Sequence, residues 1–249
     1  MKILDNKALL LRLRRPKQVT TVIPKSKELE NNKVLVNWGI EEAHVLRNLN
    51  IKVPSPIEGT YQWTGQYAPF DHQKTTSSFL TLNRKSFCFN EQGTGKTASA
   101  IWASDFLLDK GLINRVLVIC PLSIMDSAWR NDLFTFAMHR TVDVAYGSAK
   151  KREDLIIVDE ATHYKNPPTN RWKTLNRIIN PNTWLWMMTG TPAAQSPIDA
   201  YGLAKLVNPN SVPRFLGSFR DQVMRKVTNF KWVPKETATE TVHRVLQPA

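Results

Sequence analysis

The chain has 249 residues, 42% hydrophobic and 22% charged, enough for one large domain or one domain with a small appendage. Two cysteines exclude a disulfide framework, and no apolar run approaches the length of a membrane span. The net charge of +13 fits a polyanionic partner, most simply nucleic acid, as readily as a basic protein kept soluble by its charge.

The start, Met1-Lys2-Ile3-Leu4-Asp5-Asn6-Lys7, lacks the uninterrupted apolar stretch of a signal peptide, so a reducing, cytoplasmic setting without membrane is expected. Residues 8–13 and 19–23 read as short strands around the turn-like Arg15-Pro16-Lys17, and 33–38 alternate like a third strand. Gly39 breaks that run, and residues 40–49 carry helical apolar spacing. Residues 1–55 therefore read as a small basic β-rich unit ending in a helix. Its Arg12, Arg14, Arg15, Lys17, Lys25 and Lys27 make either a phosphate-binding face or a solvated one. Residues 56–69, rich in Pro, Gly and aromatics, read as a linker.

From residue 70 onward, apolar runs at 86–89, 116–120, 155–158 and 185–188 alternate with amphipathic segments at 73–82, 97–108, 125–136 and 197–207. Short strands apolar throughout, separated by helices, predict a mainly parallel α/β sheet covered on both faces. Cys88 and Cys120 fall in such strands, where free cysteine packs as a small hydrophobe; no metal or redox role is expected of them. One connection is too short for this scheme. Residues 142–146 look like a strand, yet only eight residues separate them from the strand at 155–158. A crossover between parallel neighbours takes roughly ten to twelve residues.

The string Asn90-Glu91-Gln92-Gly93-Thr94-Gly95-Lys96-Thr97 lies between a strand and a helix-favouring run. That layout cradles phosphate: backbone N–H groups of Gly93, Thr94 and Gly95 face the anion, Lys96 adds a mobile cation, and the Thr97 hydroxyl can ligate Mg²⁺. Asn90 stands where the pattern G-x-x-x-x-G-K-[ST] has Gly; asparagine tolerates left-handed backbone, so the loop can still form. The plainer alternative is an ordinary strand-to-helix turn with a surface lysine.

Leu155-Ile156-Ile157-Val158-Asp159-Glu160-Ala161-Thr162 ends an apolar strand in adjacent carboxylates, at the sheet edge where open α/β sheets bind ligands. Asp159 can hold Mg²⁺ through water, and Glu160 can orient or deprotonate an attacking water. In Met187-Met188-Thr189-Gly190-Thr191-Pro192, hydroxyls at 189 and 191 can bond both the carboxylate turn and a terminal phosphate. Gln73 precedes the loop by one helix and one strand, and its amide can pair with the edge of adenine.

These pieces in this order resemble the first motor lobe of the superfamily-two helicases, and most nearly the Swi/Snf-type DNA-dependent ATPases, phage-encoded members included. The resemblance runs from about Phe70 to the end of the chain. It makes Gln73 the adenine-reading glutamine and residues 91–97 motif I. Val118-Ile119-Cys120-Pro121-Leu122-Ser123, followed by Trp129, becomes motif Ia, a DNA-backbone contact. Asp159-Glu160-Ala161-Thr162 becomes motif II, trailed by the branch-specific Tyr164-Lys165-Asn166-Pro167, and Thr189-Gly190-Thr191-Pro192 becomes motif III. Thr162 stands where the family often has His, which is instead found next door as His163, and nothing in 147–154 matches motif Ib.

The resemblance implies an α/β fold: a RecA-like P-loop lobe (residues 70–249) with a mainly parallel sheet, preceded by the small β-rich α+β unit. It implies ATP and Mg²⁺ as ligands, duplex DNA as partner, and the host cytoplasm for a phage-encoded member. Catalysis would rest on Lys96, Asp159 and Glu160. The chain stops about where a second RecA-like lobe would begin, so that lobe, with its arginines, is expected in the same or another chain. A basic tail (Arg220, Arg225, Lys226, Lys231, Lys235, Arg244) with Phe230 and Trp232 interleaved would touch DNA or pack on that lobe. The alternatives are a P-loop regulatory module without a nucleic-acid substrate, or a non-catalytic DNA-interaction lobe.

Overall fold

A computed structural model describes residues 1–138, 142–146, 154–193, 195–228 and 231–248; within 142–146 it describes only the backbone and Val144. Most of the short connection at 147–154 and the aromatic Phe230 lie outside the described residues.

The amino-terminal unit is a four-stranded antiparallel sheet in the order β1 (Lys2–Leu4), β2 (Ala8–Arg12), β4 (Lys33–Asn37), β3 (Lys27–Leu29). The register pairs Leu9 with Val36 and Leu11 with Val34, so the alternate buried residues of both central strands share one face. Residues 19–23, expected as a strand, instead belong mostly to a helix, α1 (Pro16–Val22). Pro16 occupies its first turn, where a fixed φ and a missing N–H cost nothing. Buried Pro16, Val19 and Ile23 then recur at helical spacing while Val22 points outward. Burial decides against the β-branched composition here.

Helix α2 (Ile40–Asn48) follows Gly39, as its apolar spacing foretells, and buries Ile40, Ala43 and Leu46. The stretch 56–69 is packed. It holds a short helix, α3 (Ile57–Thr60), with Ile57 fully buried. Ser55 and Thr81 hydroxyls meet at 2.7 Å, the Tyr61 hydroxyl donates to Asp105 at 2.8 Å, and the Trp102 indole donates to the Thr64 carbonyl at 2.7 Å. One continuous apolar cluster thus runs from Leu9 and Trp38 through Ile57 to Leu80, Trp102, Phe106 and Trp186.

The second unit is built on a five-stranded parallel sheet in the order β5 (Lys85–Cys88), β9 (Trp184–Met188), β8 (Leu155–Val158), β6 (Val116–Cys120), β7 (Val142–Tyr146). Alternate residues feed two separate cores. Cys88, Val118, Ile157 and Trp186 face the cluster that includes α5 (Lys96–Asp109) and α4 (Asp71–Thr81). Phe87, Ile119, Ile156 and Met187 face the other side, against α8 (Asn170–Ile178), α9 (Ala200–Val207), α10 (Leu216–Val223) and α11 (Ala238–Val245). A strand buried on both faces has no polar face to alternate with, hence its unbroken apolar string. The RecA-like arrangement is the expected one.

Strands β7 and β8 lie on opposite sides of β6, so they are not sheet neighbours and no crossover helix between neighbours is required.

Two expected helices are interrupted. Residues 125–136 split into a π-helical turn at Met125–Arg130, entered from α6 (Leu122–Ile124), and α7 (Asn131–Phe136). Residues 197–207 begin as a 3₁₀ turn at Pro197–Asp199 before α9, with the Ser196 side chain accepting from the Ile198 N–H as the Ser-Pro start predicts. Beyond α9, the hairpin β10 (Met224–Lys226) and β11 (Trp232–Pro234) joins α10 to α11. The Arg220 guanidinium sits 4.2 Å from the Trp232 ring, so this part of the basic tail stacks on its own chain.

Candidate active site

Strand β5 ends at Cys88 and the chain turns into α5 through the glycine-bearing loop. Gly95 caps the helix in a left-handed conformation, φ +73 and ψ 37, and a Cβ there would stand 2.0 Å from Gln73 Nε2. Gly93 needs glycine for its φ of +77 alone, since a Cβ would meet nothing within 4 Å. Asn90 is not among the residues of positive φ. Its place in the loop therefore needs no left-handed tolerance, contrary to the expectation; its side-chain amide instead donates to Thr76 Oγ1 at 2.8 Å, tying the loop back to α4. Lys96 Nζ donates to the carbonyls of Asn90 (2.8 Å) and Glu91 (2.9 Å), lying across the loop, and Thr94 Oγ1 donates to Glu91 O at 2.7 Å. Thr97 follows in the first turn of α5, half-buried.

Gln73 is buried, and its amide is turned into the loop. Oε1 accepts from the Phe70 N–H at 2.9 Å, and Nε2 lies 3.4 Å from Thr94 O. His72 Nε2 is 3.0 Å from the same carbonyl, and its ring stacks on Phe70 at 5.7 Å between centroids.

Asp159 follows β8, its N–H continuing the ladder to Ile119 O at 2.8 Å. Both carboxylate oxygens are engaged: Oδ1 accepts from the Glu160 N–H at 3.0 Å and Oδ2 from the Trp129 indole N–H at 2.9 Å. Glu160 is left-handed without being glycine, φ 52 and ψ 53. Such backbone costs on the order of 1 kcal/mol and concentrates at functional sites. Here it folds the Glu160 N–H back onto Asp159 and opens the 3₁₀ turn Ala161–Tyr164, where the His163 N–H bonds Glu160 O at 3.1 Å.

The two halves lie at the carboxyl ends of the parallel strands. Burial pushes the Cys88 thiol up; Lys96 pulls it down and Asp159 adds to the rise. Burial and then Asp159 push Cys120 up to about 11, against Arg130. No hydrogen bond or ion pair joins Lys96 to Asp159 among the described residues. Nor does Thr189 reach the carboxylate turn: its N–H bonds Cys88 O at 3.0 Å and its hydroxyl accepts from the Thr191 N–H. Gly190 does lie against the loop, a Cβ there falling 3.7 Å from Asn90 O.

Two contacts had no signal in the sequence. One is Trp129 on Asp159, thirty residues apart. The other is Lys165, whose amine reaches Asp199 at 3.0 Å and Gln195 at 2.6 Å, binding the segment after motif II to the one after motif III. A cleft of about 300 Å³ lies beside Asp159, lined by Cys120, Pro121, Ser123, His163, Tyr164 and Arg171 among others.

These residues fit a nucleoside triphosphate with a divalent cation. The loop offers N–H groups at a helix start, a lysine and a hydroxyl; across the sheet edge a buried carboxylate has one protein donor on each oxygen and lone pairs to spare. Among the described residues no cluster of three acidic, His or Cys side chains forms a cage of its own. Mg²⁺ typically uses one or two carboxylates together with substrate phosphates, so the lack of a cage suits it.

Residues 148–249 match the family model described as the SNF2-related domain. The fold is similar to the Sulfolobus solfataricus SWI2/SNF2 ATPase core in complex with dsDNA, at a TM-score of 0.56 and 20% identity, over 64% of this chain and 39% of that one. The fold is that of a SWI2/SNF2 ATPase core, and the carboxy-terminal part of the chain is similar in sequence to the SNF2-related domain.

The S. solfataricus SWI2/SNF2 ATPase core domain gives a TM-score of 0.56 at 18% identity, over 74% of this chain and 43% of that one. The chain is also 22% identical over 237 residues to the uncharacterized ATP-dependent helicase YqhH of Bacillus subtilis (strain 168), covering 83% of this chain and 41% of that protein. The chain thus spans about two fifths of the length of the relatives it matches. No helix among the described residues is long and apolar enough to cross a membrane.

Proposed function

We propose that this chain is the ATP-binding and hydrolysing lobe of a Swi/Snf-like motor that tracks along duplex DNA. The observation that carries the reading is the sheet order: the loop bearing Lys96 follows β5 and Asp159 follows β8, so both lie at the carboxyl edge of the parallel sheet with β9 between them. Lys96 exchanges the carbonyls of Asn90 and Glu91 for phosphate oxygens, and the N–H groups of Gly93, Thr94 and Gly95 receive the rest of the anion. Thr97 and Asp159 would hold Mg²⁺, which when bound would supply positive charge against the phosphates. Glu160 orients the attacking water and accepts its proton. Gln73 shapes the loop through Phe70 and Thr94 and, on the family pattern, meets adenine.

Arginines from a second RecA-like lobe, in the same or another chain, complete the site; such a residue can contribute about 10³–10⁵ in rate. Duplex DNA as partner is supported by the net charge of +13 and by the dsDNA in complex with one structural relative. The test is binding to a fluorescent DNA duplex across a salt series, with ATP turnover measured beside it. Affinity should fall steeply and linearly in log–log form as counterions are displaced. Turnover lost in Glu160→Gln would complete the case. Nucleotide binding without DNA affinity would leave a P-loop regulatory module, and DNA affinity without turnover a non-catalytic lobe.

A further inference from the structure

Trp129 is fully buried, and its indole N–H donates to the Asp159 carboxylate at 2.9 Å. It sits on the π-helical turn Met125–Arg130, which carries one residue more per turn than an α-helix. That turn is pinned at both ends. Ser127 Oγ donates to Ser123 O at 3.2 Å, Arg130 pairs with Asp126, and the Asn131 N–H reaches the carbonyls of Asp126 and Ala128. A π-turn in an otherwise α-helical segment changes which side chain faces inward, and here the inward one is the indole. A buried tryptophan usually finds some acceptor, and a backbone carbonyl would serve. This one takes a carboxylate oxygen that the other bond, from the Glu160 N–H, leaves free.

We propose that Trp129 is a positioning residue for the metal carboxylate: its N–H fixes the rotation of Asp159 so that the remaining lone pairs face the cation held between Asp159 and Thr97. The inference rests on the nucleotide reading above. Outer partners of metal ligands typically contribute about 10–100-fold in metal affinity. Trp129→Phe deletes the N–H and keeps an aromatic ring in the core.

The experiment has two arms. In calorimetric titrations with ADP, Trp129→Phe should raise the Mg²⁺ concentration needed for half-maximal binding by about tenfold or more, while ADP binding in EDTA stays unchanged. In ¹H–¹⁵N spectra of the wild-type chain, the Trp129 indole resonance, assigned from wild-type NOE and triple-resonance spectra, should shift on adding Mg²⁺ with ADP. It should shift far less with ADP in EDTA. If Trp129→Phe does not fold, Asp159→Asn replaces it, since losing the anionic acceptor must move the same indole resonance before any nucleotide is added. Unchanged Mg²⁺ dependence, or an indole resonance indifferent to both Mg²⁺ and Asp159→Asn, overturns the proposal and leaves the nucleotide reading intact. No ADP binding by the wild-type chain overturns both.

Discussion

Glu160 holds a backbone conformation that its own chemistry does not favour. Left-handed backbone costs an L residue about 1–2 kcal/mol, whereas the entropy lost on folding glycine costs roughly 0.5–1 kcal/mol. Glu160→Gly should therefore fold as stably as the wild type or up to about 1.5 kcal/mol better in urea titrations, while losing turnover. A loss of stability above about 1 kcal/mol would show that the glutamate side chain holds the turn together, contrary to this account. At this scale the candidate residues stood out because Lys96-Thr97 and Asp159-Glu160 are contiguous strings, one opening a helix and one following a strand. The partners of those residues were not. Nothing local in the sequence joins Trp129 to Asp159 or turns Gln73 into the loop, and Asn90 is accommodated by a hydrogen bond to Thr76 on another helix.

Elements with both faces covered were readable for a physical reason: a parallel strand between two cores leaves no polar position, so β6 and β8 match their expected bounds. Where tertiary contacts override local preference the reading failed, as with α1, whose β-branched residues pack as a helix face behind Pro16. The π-turn at Met125–Arg130 was equally invisible, because its apolar spacing passes for a continuous helix. Helix α9 supplies the test at this scale. Gly202 lies so near the chain after motif II that a Cβ would stand 2.0 Å from the Lys165 carbonyl oxygen, and the Trp172 indole donates to the Gly202 carbonyl at 2.8 Å. The obstacle is backbone, so it cannot swing aside. Gly202→Ala should cost about 1–3 kcal/mol in urea unfolding and loosen the Lys165–Asp199 pair. Wild-type stability in that variant would mean that α9 moves freely against motif II.

Across the whole molecule, the small sheet and the parallel sheet share one apolar cluster, through Trp38, Ile57, Trp102 and Phe106. A shared core couples unfolding, so calorimetry should record one cooperative transition for the chain. Two resolved transitions, the lower lost on removing residues 1–55, would mark an independent accessory domain. The sheet order brings the glycine-bearing loop after β5 and the carboxylates after β8 to one edge on either side of β9, and the proposed function depends on that edge. Titration of the chain with ADP and Mg²⁺, beside the same titration of Lys96→Ala, tests it most directly. The account predicts one nucleotide per chain for the wild type and no measurable binding for the variant. Equal affinity in the two would contradict it.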